Sequence, residues 1–367
     1  MSNEFRELLR KVGSGTHTGE DLTRSQAAAA TRMMLLGEAT PAQIGAFLIA
    51  HRIKRPTGEE LAGMLDAYDE LGPKLQPKNS SRSVIVLGMP YDGRDRTAPV
   101  SPLTALLLTA SEQPVVMHGS DRMPTKYGLP LVDIWQGLGV DWTGLTLAQT
   151  QQVFESTGLG FIYLPQHFPL AQEIFDYRDQ IGKRPPFATI ELIWCPYAGD
   201  AHIITGFVHP PTEIMFQIAF GLRGVSKFTT VKGLEGSCDL PRERTSIIGL
   251  SAPNRSHETA LAPLDSLHLV PRDYGFASQN VPLGTPEQLV ADMQSVLQGQ
   301  SSELMQTAIW NGGFYLWRAG ICPDIRSGIA QAEAMFTSGE VARKLQEISQ
   351  VVDSVRAIAR AANVYSR

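Results

Sequence analysis

The sequence predicts an α/β protein: a small helical domain over residues 1–75, then a larger α/β domain over 82–367 with a mainly parallel central sheet. Three observations predict it. Helix-start signatures crowd the first 75 residues, short apolar runs alternate with helical stretches after residue 84, and helical spacing returns near the carboxyl end. Strands that alternate with helices imply right-handed crossovers and parallel pairing.

The helical domain announces its own helix starts. A threonine whose hydroxyl caps a helix, followed three residues later by Glu or Gln, satisfies two otherwise unpaired amides at once. Thr23 with Gln26, Thr40 with Gln43 and Thr57 with Glu60 fit that pattern, and Pro41 sits at a first helical position. Ile44, Phe47, Leu48 and His51 then share one helical face, so His51 reads as a packing residue. After "PKLQPKNSSRS" the texture changes to the short runs "VIVLG" (84–88), "PVVMHG" (114–119), "LGFIYLP" (159–165), "HIITGFV" (202–208) and "KFTTVKG" (227–233). Helical stretches at 102–111, 146–156 and 211–222 separate them, with Thr146 and Gln149 forming another box. Thr285, Pro286 and Gln288 open a further helix that stops at Gly299. Val341, Leu345, Ile348, Val352 and Val355 give the last helix an apolar stripe, read as core packing. Part of about 165–190 is a candidate to join the helical domain.

Composition narrows the function classes. The 367 residues are 43% hydrophobic and 19% charged, ordinary for a chain with a sizeable core. The net charge of −5 argues against a surface that tracks nucleic acid throughout, though not against a basic cleft. Cys195, Cys238 and Cys322 are far apart and form no paired motif, so idle thiols in a reducing compartment are expected. No apolar run is long enough to span a membrane, and the first residues lack the apolar centre of a signal peptide. A cytoplasmic protein with no membrane partner is the expectation.

In parallel sheets ligands sit beyond the carboxyl ends of the strands, which directs attention to loops 88–101, 118–128 and 232–245. Seven cations fall on those loops: Arg94, Arg96, Arg122, Lys126, Lys232, Arg242 and Arg244. Their convergence over one rim of the sheet would make a pocket for anions.

Two long stretches resemble a known family. "LTRSQAAAATRMMLLGEATPAQIGAFLIAHRIKRPTGEELAGM" and "GTPEQLVADMQSVLQGQSSELMQTAIWNGGFYLWRAG" are similar to the anthranilate phosphoribosyltransferase family, glycosyltransferase family 3, in a divergent branch of it. The resemblance covers nearly the whole chain and implies a nucleoside phosphorylase/phosphoribosyltransferase-like fold. It also implies a site. Where the enzymes carry G-T-G-G-D, this chain has Gly88, Met89, Pro90, Tyr91 and Asp92, and Pro90 has no N–H to donate. Where they open a helix with N-x-S-T, Pro99 and Pro102 replace the Asn and Thr while Ser101 stays, allowing one inserted residue. K-H-G-N-R becomes Met117, His118, Gly119, Ser120 and Asp121, with Arg122 and Lys126 beyond. Their magnesium-binding Asp-Glu pair is reduced to Glu235, with Asp239 as a substitute. Gln172 and Leu192 stand at two positions matched to their acceptor segment.

The donor-binding set implied by residues and resemblance together is Gly88, Asp92, Arg94, Arg96, Ser101, His118, Gly119, Arg122, Lys126 and Lys232, with Glu235 as the metal position. The implied activity is phosphoribosyl transfer from a ribosyl phosphate donor, with Mg2+, to an acceptor the sequence does not name. So many altered phosphate positions make efficient anthranilate chemistry doubtful. The alternative is a non-catalytic protein whose basic cleft grips single-stranded nucleic acid, with Tyr91 or Tyr127 stacking on a base. The family pairs through its helical domain, and Met33, Met34, Leu35 and Leu36 offer an apolar run for such a homodimer.

Overall fold

The computed structural model describes residues 3–15, 18–78, 80–251 and 264–365, with side chains through 358. The outermost ends of both expected domains, residues 1–2 and 366–367, lie outside the described residues.

The chain opens with α1 (Asn3–Gly13), α2 (Arg24–Leu35), α3 (Pro41–Lys54) and α4 (Gly58–Leu71). Reciprocal caps at Thr23, Thr40 and Thr57 start three of these helices. Then come β1 (Val84–Gly88), α5 (Ser101–Ala110), β2 (Val115–Gly119), α6 (Leu131–Gly137), α7 (Leu147–Thr157) and β3 (Leu159–Tyr163). Short helices α8 (Leu164–His167), α9 (Pro169–Gln172), α10 (Ile174–Gln180) and α11 (Phe187–Ile190) lead to β4 (Ala201–Gly206), α12 (Pro210–Leu222) and β5 (Phe228–Val231). Strands β6 (Ser246–Ser251) and β7 (Leu264–Leu269) precede α13 (Pro286–Leu297), α14 (Glu303–Arg318), α15 (Ile325–Thr337) and α16 (Glu340–Tyr365). At Thr285 the hydroxyl caps Gln288 N, whereas at Thr146 the full reciprocal box forms.

Among the described residues the sheet runs β3-β2-β1-β4-β5-β6-β7. The first five strands are parallel, and β6 and β7 add an antiparallel edge. Strand side chains alternate between two faces. Val84, Val86, Val116, Ile162 and Ile203 pack into a cluster with the amino-terminal helices. Ile85, Leu87, Met117, Phe161 and Ile204 pack on the opposite side, against α5, α14 and α16. Two apolar cores thus clamp one sheet between helical layers, the arrangement expected for a buried parallel sheet.

Segment 164–190 folds onto the helical layer. Phe168, Ile174, Phe175 and Phe187 share a core with Phe5, Phe47 and Tyr68. His51 is buried in that layer, its Nε2 3.2 Å from Glu60 Oε2. Burial opposes ionisation of Glu60, but hydrogen bonds from His51 and the amides of Leu22 and Thr57 lower its pKa to about 2. The apolar run expected to serve a dimer face turns inward: Met33, Met34 and Leu35 are buried in the chain's own core, and Leu36 alone of the four is exposed. Cys238 and Cys322 are buried and Cys195 is half-buried, all three as free thiols. No helix among the described residues is long and apolar enough to cross a membrane.

Candidate functional site

The carboxyl ends of β1, β4 and β5 meet the helical layer across a cleft. Strand β1 ends at Gly88, where nothing larger fits: a Cβ there would lie 1.9 Å from the Leu192 carbonyl oxygen. The chain then turns its side chains inward. Tyr91 is buried, its hydroxyl 2.5 Å from His118 Nδ1. Asp92 accepts Arg184 Nε at 2.6 Å and lies 3.5 Å from Arg178 Nη2. Mutual backbone bonds between Arg94 and Leu129 tie this turn to the 123–129 loop, as does Gly128 N donating to the Asp92 carbonyl at 2.9 Å.

Arg94 is buried. Its guanidinium donates to Glu235 Oε1 at 3.2 Å, to Ser237 Oγ and Asp239 Oδ2 at 2.9 Å each, and to the Thr97 hydroxyl. Glu235 is the hub of the cluster. Its Oε1 also accepts the amides of Arg96 (3.2 Å) and Thr97 (3.0 Å) and the Thr97 hydroxyl (2.8 Å). Its Oε2 accepts Asp95 N at 3.3 Å and the Lys126 ammonium at 2.9 Å. Burial pushes the Glu235 carboxyl up, but the hydrogen bonds with the Asp95 side chain, Lys126 and Thr97, with the Arg94 charge, outweigh it and hold the group far below the usual carboxylate range. The same contacts retain Glu235 in a left-handed backbone conformation, φ 55°, which costs about 1–2 kcal/mol for a residue with a Cβ. Asp239 is tied to Arg94 and to Val100 N at 3.0 Å, at the start of α5.

Two adjoining cavities open beside this cluster. One, about 380 Å³, is lined by Arg52 from α3, by Arg178, Arg184 and Glu191 from the 174–192 segment, and by Asp92, Arg96, Lys126, His209 and Glu235. The other, about 560 Å³, shares Arg96, Val208 and Glu235 with it and adds Lys232, Glu243, Arg244 and Asn280. Arg178 and Glu191 pair at 2.9 Å in full burial. Burial pushes the Glu191 carboxyl up to about 7, against the pull of Arg178. Five cations against three carboxylates, one of them half-protonated near neutrality, leave the smaller cavity suited to anions.

The structure redistributes the residues expected from sequence. Asp92, Arg96, Lys126 and Glu235 meet at the smaller cavity, and Lys232 joins at the larger. The others line neither cavity. Arg94 is enclosed by carboxylates of this chain and lines neither cavity. Gly88 serves the close approach of the Leu192 backbone. Ser101 is buried at the first turn of α5, away from both cavities. His118 is fully buried between Tyr91 and Trp194, and that burial lowers its pKa to about 3, so it carries no charge for a phosphate. Gly119 backs onto the Phe161 ring. Arg122 reaches toward Asp133, 3.9 Å away. Arg242 is buried and bound to Glu303 and Thr307. Gln172 accepts from Ser120 Oγ at 2.6 Å and lines neither cavity.

Arg52, Arg178, Arg184, Glu191 and His209 complete the cleft without having been singled out in the sequence. Arg178 did carry a signal. It shares an apolar helical face with Ile174, Phe175 and Ile181, and a cation there must find a buried carboxylate.

A divalent cation does not fit this donor set. A carboxylate that ligates magnesium directly must offer an oxygen at about 2.0–2.1 Å. Both Glu235 oxygens are already loaded with N–H and O–H donors, and Asp239 is enclosed by Arg94 and Val100 N. A metal at Glu235 would also face Arg94 and Lys126, and repulsion costs about 4 kcal/mol per pair of unit charges 4 Å apart near a protein surface. No group of three or more potential ligands forms among the described residues.

A helical layer set against a mainly parallel sheet, with an anion-suited cleft between them, defines the class: a transferase fold of the phosphoribosyltransferase kind. The helical-bundle domain of a glycosyl transferase family matches residues 6–72, and the α/β domain of that family matches 92–342. The chain belongs to this glycosyl transferase family, that of the anthranilate phosphoribosyltransferases. Among its relatives, the anthranilate phosphoribosyltransferase of Symbiobacterium thermophilum is 27% identical over 356 residues, covering 96% of this chain and 99% of that one. The corresponding enzyme of Afipia carboxidovorans is 28% identical over 352 residues, covering 95% and 99%. The Saccharomyces cerevisiae enzyme, solved in complex with PRPP and Mg, superposes with a TM-score of 0.80 at 15% identity, covering 96% of this chain and 99% of that one. The enzyme of Thermus thermophilus superposes at 0.73 with 19% identity, covering 96% and 100%. At these identities the two structures speak for the fold.

Proposed function

We propose that the protein transfers a phosphoribosyl group from a ribosyl phosphate donor, phosphoribosyl pyrophosphate, to an acceptor other than anthranilate. Family membership supports the reaction type, and one observation carries the site: Arg52, Arg96, Lys126, Arg178 and Arg184 converge on one cleft from separate segments of the chain. In this reaction the bond from C1 of the ribose to pyrophosphate breaks, the acceptor's nucleophile bonds to C1, and the acceptor loses a proton. Arg96 and Lys126, beside the strand-end loop, are placed to stabilise the leaving pyrophosphate. Lys232 and Arg244 extend the same positive rim. Glu191 lines the cleft with a pKa near neutrality and with its Oε2 unpartnered among the described residues, so it is placed to take the acceptor proton.

Single-stranded nucleic acid has less support. Tyr91 is buried and unavailable for stacking, although Tyr127 is half-exposed. Arg94 and Arg242, two of the seven loop cations, are enclosed.

The test is pyrophosphate release from the donor across a panel of amine acceptors, anthranilate included. Release with at least one amine and slower release with anthranilate are expected. No release with any acceptor, together with salt-sensitive capture of single-stranded DNA in gel shifts, would replace the transferase reading with the nucleic-acid one. Glu191→Gln is expected to lower the transfer rate by about 10²–10⁴-fold, the usual reach of a positioned base.

A further inference from the structure

The Saccharomyces cerevisiae neighbour was solved in complex with PRPP and Mg, yet in this chain both Glu235 oxygens already accept N–H or O–H donors. What stands there instead is an ammonium. We propose that Lys126 is a resident cation: its Nζ neutralises Glu235 on one side and receives a phosphate oxygen of the ligand on the other, so that this site binds pyrophosphate without a divalent metal. The inference rests on reading the cleft as the site of a phosphorylated donor.

Five features support it. Lys126 Nζ lies 2.9 Å from Glu235 Oε2 and 3.9 Å from Asp95 Oδ1, so the two carboxylates hold it in place. The lysine is nonetheless not enclosed: its side chain is 16% exposed and lines the smaller cavity. An ammonium has three donors, and the described contacts leave capacity for a ligand oxygen from the cavity. Its loop is anchored, since Tyr127 N donates to the Met123 carbonyl at 3.0 Å and Gly128 N to Asp92. Arg96, mostly exposed, lies 3.7 Å from the same Glu235 oxygen and supplies a second cation at the same rim. A fixed single charge differs from a metal in one measurable respect: the solution's magnesium concentration does not control it.

The experiment is isothermal titration of inorganic pyrophosphate into the full-length chain, once with a chelator and once with millimolar magnesium. The wild type is expected to bind with dissociation constants that agree within about twofold between the two conditions. Lys126→Met removes a charge-assisted contact and is expected to weaken metal-free binding about tenfold or more, with partial recovery in magnesium once the lysine no longer repels the ion. Lys126→Arg keeps the charge and is expected to retain metal-free binding. Because Lys126 is at the rim, thermal unfolding of each variant checks that the fold persists. Wild-type binding that needs magnesium would overturn the resident cation and leave the transferase reading standing, as would a Lys126→Met variant that binds like the wild type without metal. No binding of pyrophosphate under either condition would overturn both.

Discussion

Arg94 and Lys126 come from neighbouring loops and touch the same glutamate, but they play different parts. Arg94 has carboxylates on two sides and 2% exposure, so its charge is used to hold the 94–97 turn against the 235–239 turn. Arg94→Ala is expected to destabilise the fold by about 3–5 kcal/mol, because Asp239 would be left buried without its cation; the shift in denaturant midpoint measures this. Nothing in the sequence near Arg94 distinguishes it from Arg96, two positions away, which points to solvent. The partners that decide the difference lie some 140 residues downstream, and only the tertiary structure brings them together. The same holds for His118, a loop-motif histidine by pattern and a core residue by position. Glu191 gives a pH signature at this scale. Its folded pKa, about 7, stands above the ordinary glutamate value, so between about pH 4.5 and 7 the folded state holds more protons than the unfolded one. Stability contributed at that residue is therefore present at acid pH and lost as pH rises through 7. Urea unfolding at pH 5 and pH 8 is expected to show a smaller drop for Glu191→Gln than for the wild type.

At the scale of elements the sequence is most legible where local chemistry decides. The boxes at Thr23, Thr40, Thr57 and Thr146 all form, because hydroxyl, amide and carboxamide or carboxylate are within four residues of one another. Thr57→Ala is expected to cost about 1 kcal/mol of stability, read in thermal or urea unfolding. The five parallel strands are legible as apolar runs because both their faces are buried. The antiparallel pair β6 and β7 is not: β7 has mostly half-exposed or exposed residues, so it lacks the continuous apolar run that marks the parallel strands. Gly88 stands out in the sequence for a reason other than its structural one. Gly88→Ala would drive a methyl group into the Leu192 backbone, and loss of soluble folded protein or a drop of several kcal/mol is expected.

For the whole molecule, the cleft lies between two layers that the sequence separates by long intervals. Arg52 comes from α3, Arg178 and Arg184 from the segment that folds back onto the helical layer, and Arg96, Lys126 and Glu235 from strand-end loops. A linear reading finds the strand-end half, since ligands favour the carboxyl ends of parallel strands. It misses the other half, because the 164–190 segment returns to the helices through core contacts such as Tyr68 with Phe168 and Phe187, and no short motif encodes that return. The net charge of −5 is likewise silent about a cleft in which cations outnumber carboxylates.

The central claim is that this cleft is where a phosphoribosyl donor binds. Equilibrium titration of phosphoribosyl pyrophosphate into the wild type and into Arg96→Ala tests it most directly. One donor bound per chain is expected, with affinity that falls as salt rises and falls about tenfold further in the variant. A wild type that takes up no donor at low salt, or a variant that binds as tightly as the wild type, would contradict it.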